Sequence, residues 1–218
     1  MSGAASAIPY RIRRSSRARR VSVRVDGEDG VEVTLPTRAP QRAADAAIAE
    51  LAPWIERRLR AAALLRAELA RRSGFLPYLD EELELVIEHS RTRALRSGSR
   101  LLAPDEAAIE RWYRRAARVE VGARLDWATA SVGLSYTTLS IRGQRTRWAS
   151  CGASGAMSFN WRLLLAPQRV LDYVVWHEVC HLEVADHSAR FWALLDRRHP
   201  DWREPAQWLS RNGAGLVL

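Results

Sequence analysis

From Pro167 the chain reads Gln168-Arg169-Val170-Leu171-Asp172-Tyr173-Val174-Val175-Trp176-His177-Glu178-Val179-Cys180-His181, then Leu182-Glu183-Val184-Ala185-Asp186-His187-Ser188. Proline serves well in a first helical turn, where its missing N–H costs nothing. The apolar run Val170, Leu171, Val174, Val175 and Trp176 predicts a buried helix from Pro167 to about Ala185. His177 and His181 stand four residues apart, so both imidazoles leave one face and can bind one ion. Glu178 lies ~100° further round, offset from that ion but within reach of a water held beside it. Two fixed nitrogen donors with a base next to an open position are what a zinc hydrolase requires.

A third donor follows. His187 comes six residues after His181, and three of the five histidines fall within these eleven residues. Buried histidines need partners, so a chain that folds back after the helix is expected to bring His187 to the same ion. The spacing is that of metzincin proteases, with two departures. Val184 stands where those enzymes place a turning glycine, and β-branched residues resist positive φ. No methionine follows, since Met157 lies upstream. The turn is therefore expected at Ala185-Asp186. Asp201 and Glu204 are the alternative, acidic third ligands of a thermolysin-like site. Ser188 is positioned to cap a short helix containing Phe191, Trp192 and Leu195, closed by His199-Pro200.

Upstream of the motif, Tyr136–Ile141 and Ala156–Leu164 read as strands about the turn signals Gly152-Ala153-Ser154-Gly155. Pro104 opens a long helix through Trp112, Tyr113 and Val119 to about Ala130. Leu83–Ile87 is strand-like, and Ser97-Gly98 marks a loop. Pro40 and Pro53 stand where helices are expected to begin, the second running from Trp54 to Arg72 with Ile55, Leu59, Ala63 and Leu65 apolar. Between Arg11 and Leu35 the alternation of Val21, Val23, Val25 and then Val31, Val33, Leu35 predicts a β-hairpin turning at Asp26–Gly30. The fold expected is α+β: an active-site helix on a small antiparallel sheet, preceded by a β-hairpin and helices. A soft boundary separates 1–101 from 102–218, within what can be one continuous domain.

Composition narrows the function. A chain of 218 residues, 47% apolar and 27% charged, can bury a metal site without disulfides. Two unspaced cysteines, Cys151 and Cys180, point to a reducing compartment. No signal peptide or ~20-residue apolar span is present, so cytoplasmic localisation is expected, without membrane partners. The net charge is +9, carried by arginine with no lysine at all. That bias resembles a genome-wide codon preference. Seven arginines between Arg11 and Arg24 precede the first acid, Asp26. They read as a solvated basic face or, alternatively, as a surface for nucleic acid or nucleotide.

Arg147-Trp148-Ala149-Ser150-Cys151, Asn160-Trp161-Arg162-Leu163, the segment Tyr173–Leu182, His187-Ser188 and Phe191-Trp192 occur in one order. In this the chain resembles the YgjP-like metallopeptidases, a metal-dependent hydrolase family related to SprT-like zincins. The resemblance spans nearly the whole chain, and Ala149 departs from the family's usual glycine. It implies a zincin-type catalytic half with His177, His181 and His187 as zinc ligands, Glu178 as general base and a polypeptide substrate. Tyr173, Arg145 and Arg147 are candidates to stabilise an oxyanion, and Arg142–Ala149 is a candidate edge strand for substrate. Cys151 is an alternative ligand, although packing is its simpler role. Two other chemistries are compatible with the residues: metal-dependent phosphoanhydride hydrolysis, and nucleic-acid association around a structural zinc. The open fourth position and Glu178 argue against the latter, because structural zinc is usually enclosed by four protein ligands.

Overall fold

The computed structural model describes residues 8–26, 30–71, 74–144 and 146–218, with side chains throughout except at 26, 65, 66 and 68–71. Among these residues the fold is α+β, with three small sheets and five α-helices. The chain forms two compact units, one of Met1–Glu68 with Arg211–Val217, the other of Leu69–Ser210 with Leu218.

In the first unit, β1 (Tyr10–Ser15), β2 (Ser22–Asp26) and β3 (Gly30–Pro36) form a sheet of order β1-β3-β2. The expected hairpin is β2–β3, which pair antiparallel, while β1 adds to β3 in parallel. Residues 27–29 of the expected turn lie outside the described residues. Alternation places Val25, Val31, Val33 and Leu35 inward, where they pack with Ala44, Ile48 and Ile55 of α1 (Arg42–Arg71).

Pro53 does not start a helix; α1 runs through it. Proline removes one backbone hydrogen bond, but Pro53 is exposed, so water can serve the carbonyl left over. Ile48 and Ile55 remain on one buried stripe. Tertiary packing of that stripe outweighs the local defect.

The second unit begins with β4 (Phe75–Tyr78), β5 (Glu81–Ile87), β6 (Leu95–Ser97) and β7 (Arg100–Ala103), in the order β4-β5-β7-β6. α2 (Glu106–Ser131) follows, started by Asp105, whose carboxylate accepts the Ala108 N–H at 2.7 Å. Its buried stripe Ile109, Tyr113, Ala117, Val121 and Leu125 packs against the segments that carry the candidate site.

The third sheet comprises β8 (Thr138–Arg142), β9 (Ala149–Cys151) and β10 (Ala156–Asn160), ordered β8-β10-β9. It is mixed, not antiparallel as expected: β10 runs parallel to β8 and antiparallel to β9. β8 and β9 thus lie on opposite sides of β10. The strand expected to reach Leu164 stops at Asn160, whose side chain accepts the Arg162 N–H at 3.1 Å and starts a 3₁₀ turn, Trp161–Leu165.

α3 (Gln168–His181) starts after Pro167 as expected and ends four residues sooner than Ala185. The N–H groups of Leu182, Glu183 and Val184 close on the carbonyls of Val179 and Cys180, while the Val184 side chain turns into the core. α4 (Ala189–Arg198) and α5 (Arg203–Asn212) complete the order. Ser188 occupies the N-cap of α4 but makes no side-chain cap; its N–H instead donates to Asp186 Oδ1 at 3.1 Å. Among the described residues no helix is long and apolar enough to cross a membrane.

Candidate metal centre

The last turn and a half of α3 presents His177 and His181 on one face, with ring centroids 5.0 Å apart. The segment after the helix folds back without any positive-φ residue between 182 and 188, so Val184 is no obstacle. His187 arrives with its ring 4.9 Å from His177 and 4.7 Å from His181. One ligand nitrogen from each ring lies within 4.8 Å of the others. Beneath them sits Phe191 of α4, fully buried, with its ring 4.6–4.8 Å from all three imidazoles.

The donor set suits a metal ion. His181 Nδ1 is 3.0 Å from the Val184 carbonyl, which fixes its proton there and leaves Nε2 free as a donor. His177 and His187 bring their Nε2 atoms to 2.9 Å, a distance that calls for a shared proton or a cation between them. Burial, with His181 and His187 adjacent, holds His177 down to about 3. Burial likewise lowers His181 against the opposing pull of the Val184 carbonyl. Both rings are thus in the neutral form that binds metal. Three imidazoles are borderline-soft ligands of the kind zinc accepts.

Glu178 faces the same cavity, of about 360 Å³. It is only 5% exposed, and burial pushes its carboxyl up to about 7, opposed by the Cys151 amide and the charge of Arg147. Its Oε2 is buried without a hydrogen-bond partner among the described residues. A buried carboxyl oxygen with a free lone pair can serve as a proton acceptor.

The other candidates separate cleanly. Arg147 lines the cavity, and Arg145 lies outside the described residues. Tyr173 does not line the cavity; its ring meets His177 edge-on at 5.8 Å and stacks on Trp202 at 6.3 Å. Cys151 lines it as a thiol whose pKa is raised by burial and by Glu178, and it stands outside the histidine cluster. Cys180 is buried. Asp201 and Glu204 are not in the cluster either, and Glu204 pairs with Arg169 at 2.8 Å. The strand beside the cavity begins only at Ala149, so the edge is β9 and not Arg142–Ala149.

Two features escaped the sequence reading. The sequence places Phe191 on its helix but carries no sign that it lies beneath the site. Asn160, 4% exposed, holds the loop before β9: its amide donates to the Gln144 carbonyl at 2.7 Å. A lone asparagine ending an apolar strand was the available signal.

A family model described as YgjP-like, metallopeptidase domain, matches residues 19–212. No curated protein matches the chain. Among solved structures it is similar to that of the metallopeptidase zymogen of Pyrococcus abyssi abylysin, at 21% identity, over 44% of this chain and 99% of that one, with a TM-score of 0.38.

Proposed function

The chain belongs to the YgjP-like family of metallopeptidase domains, and on that premise we propose that it is a zinc-dependent peptidase with Glu178 as its general base. His177, His181 and His187 hold the ion. The observation that carries this reading is the convergence of three histidine nitrogens within 4.8 Å beside a cavity that also holds a buried carboxyl. Zinc in that position supplies Lewis acidity toward a carbonyl and eases the deprotonation of water.

The rest of the chemistry belongs to the chain. Glu178 takes a proton from the attacking water onto its carboxylate and later delivers it to the leaving amine. Burial raises the affinity of this carboxylate for a proton, which suits it to take one from water. The neutral rings of His177 and His181 keep their lone pairs for the ion. β9 ends its sheet, so its outer edge, apart from the Cys151 N–H that meets Glu178, offers backbone groups along which an extended polypeptide can lie.

Glu178→Gln tests the proposal, since it keeps the size of the side chain and removes the proton acceptor. The variant is expected to retain its zinc and its circular dichroism while cleavage of an unstructured protein such as casein falls ~100-fold or more. Cleavage at the parent rate, or parent activity that survives a chelator, would overturn the assignment.

A further inference from the structure

The wall of the Glu178 cavity is lopsided. Apart from the histidines and Glu178, it consists of Ala149, Ser150, Cys151, Gly152, Ala153 and Ala185, all small, together with Arg147. Small walls leave room for a substrate group, and Arg147 borders that room with its charge near enough to act on Glu178.

Arg147 has its donors to spare. Elsewhere in this unit Arg124 pairs with Glu120 and Asp172, Arg169 with Glu204 and Arg198 with Glu183. Among the described residues no carboxylate lies within ion-pair distance of Arg147, and its only hydrogen-bonded group is its own carbonyl. The loop that carries it is nevertheless held. Asn160 donates from Nδ2 to the carbonyls of Gln144 at 2.7 Å and Arg147 at 3.5 Å, and its backbone N–H bonds to Trp148 at 2.7 Å. β9 starts two residues after Arg147, so a peptide lying along that edge passes the guanidinium.

Charge points the same way. The cavity lining carries one guanidinium, one carboxyl and three imidazoles. With a divalent ion present it is net positive and favours anionic groups. We propose that Arg147 selects peptides bearing a carboxylate within two residues of the scissile bond, gripping it with two parallel N–H donors. The carboxylate comes from an aspartate or glutamate side chain or from the peptide's own C-terminus. This rests on the peptidase reading.

The test uses the zinc-loaded full chain and three fluorescein-labelled hexapeptides: one with a central glutamate and an amidated end, the same peptide with glutamine, and the glutamine peptide with a free C-terminal carboxylate. Binding is followed by anisotropy and cleavage separately by product release. The parent is expected to favour one or both acidic peptides over the neutral one by about ten- to hundred-fold, and which of them shows the source. Arg147→Ala should erase that preference through KM alone, and Arg147→Lys should keep part of it. Arg142→Gln removes the same charge at an exposed position on β8 and should change nothing.

Equal affinity for the three peptides in the parent, or a preference that survives Arg147→Ala, would overturn the proposal. So would an equal fall in kcat for all three, which would mark Arg147 as acting on the reacting charge. A charge preference without cleavage would refute the peptidase reading and leave Arg147's role standing; cleavage without preference would do the reverse.

Discussion

The arginine-rich sheet of the first unit and the histidine-bearing helix of the second both carry dense polar sequence, yet they treat it in opposite ways. On the sheet, Arg11 and Arg24 flank Glu32 across the strands, and Arg13 reaches the same carboxylate at 3.0 Å. Arg14 is spent on the carbonyls of Thr37 and Ala39. Arg13 and Arg14 are exposed and compensated. On α3 the polar groups are inside: Glu178 is 5% exposed, and both its Oε2 and His177 Nδ1 are buried without partners among the described residues. A buried polar atom left unsatisfied costs about 1–3 kcal/mol, whereas a surface charge costs almost nothing. Chemistry is therefore better sought where polarity is retained against that cost than where charge is most abundant.

The largest effect expected to sharpen the contrast is on metal content. Replacing His177 and His181 by alanine together should take bound zinc, read by elemental analysis, from near one per chain to near none. Full retention in the double variant would break the comparison at its centre.

Next comes pH. In the metal-free chain the Glu178 carboxyl is pushed from 4.5 up to about 7 by burial, so folding favours its protonated form. The stability this group contributes is complete below 4.5 and is lost as pH rises through about 7. At ~1.4 kcal/mol per pH unit the loss amounts to about 3 kcal/mol. Glu178→Gln does not titrate. In chelator it should be the more stable protein at pH 8 by up to that amount, with the gap closing toward pH 4.5 in urea melts. A gap independent of pH would show that the carboxyl is not buried as described.

The smallest effect belongs to the sheet. Arg13 is 57% exposed in its pair with Glu32, so Arg13→Ala should shift stability by less than about 1 kcal/mol, and by less still at high salt. Retention on duplex DNA that survives physiological salt and is lost on neutralising Arg11, Arg13 and Arg24 would break the comparison from the other side, because it would give the wet charges a partner.

Elements with a strong local signal were legible in the sequence. The alternation of Val23, Val25, Val31 and Val33 gives β2 and β3, and Pro104 marks the start of α2. Elements whose limits depend on distant contacts were not. Pro53 argues locally for a helix start, and α1 passes through it because Ile48 and Ile55 are buried on either side. The helix of the motif reads as continuing to Ala185 and stops at His181, where the N–H groups of Leu182, Glu183 and Val184 close on Val179 and Cys180 and the Val184 side chain is buried.

The same division runs through the site. Spacing alone determined that His177 and His181 share a face with Glu178 beside them, because the 3.6-residue period acts at every position of a helix. Only the tertiary structure decided that His187 swings under neither proline nor glycine to meet them, that Phe191 forms the floor and that Asn160 holds the loop of Arg147. Those are contacts between segments whose separation in sequence carries no period, and their geometry exists only once the core that orients them has formed.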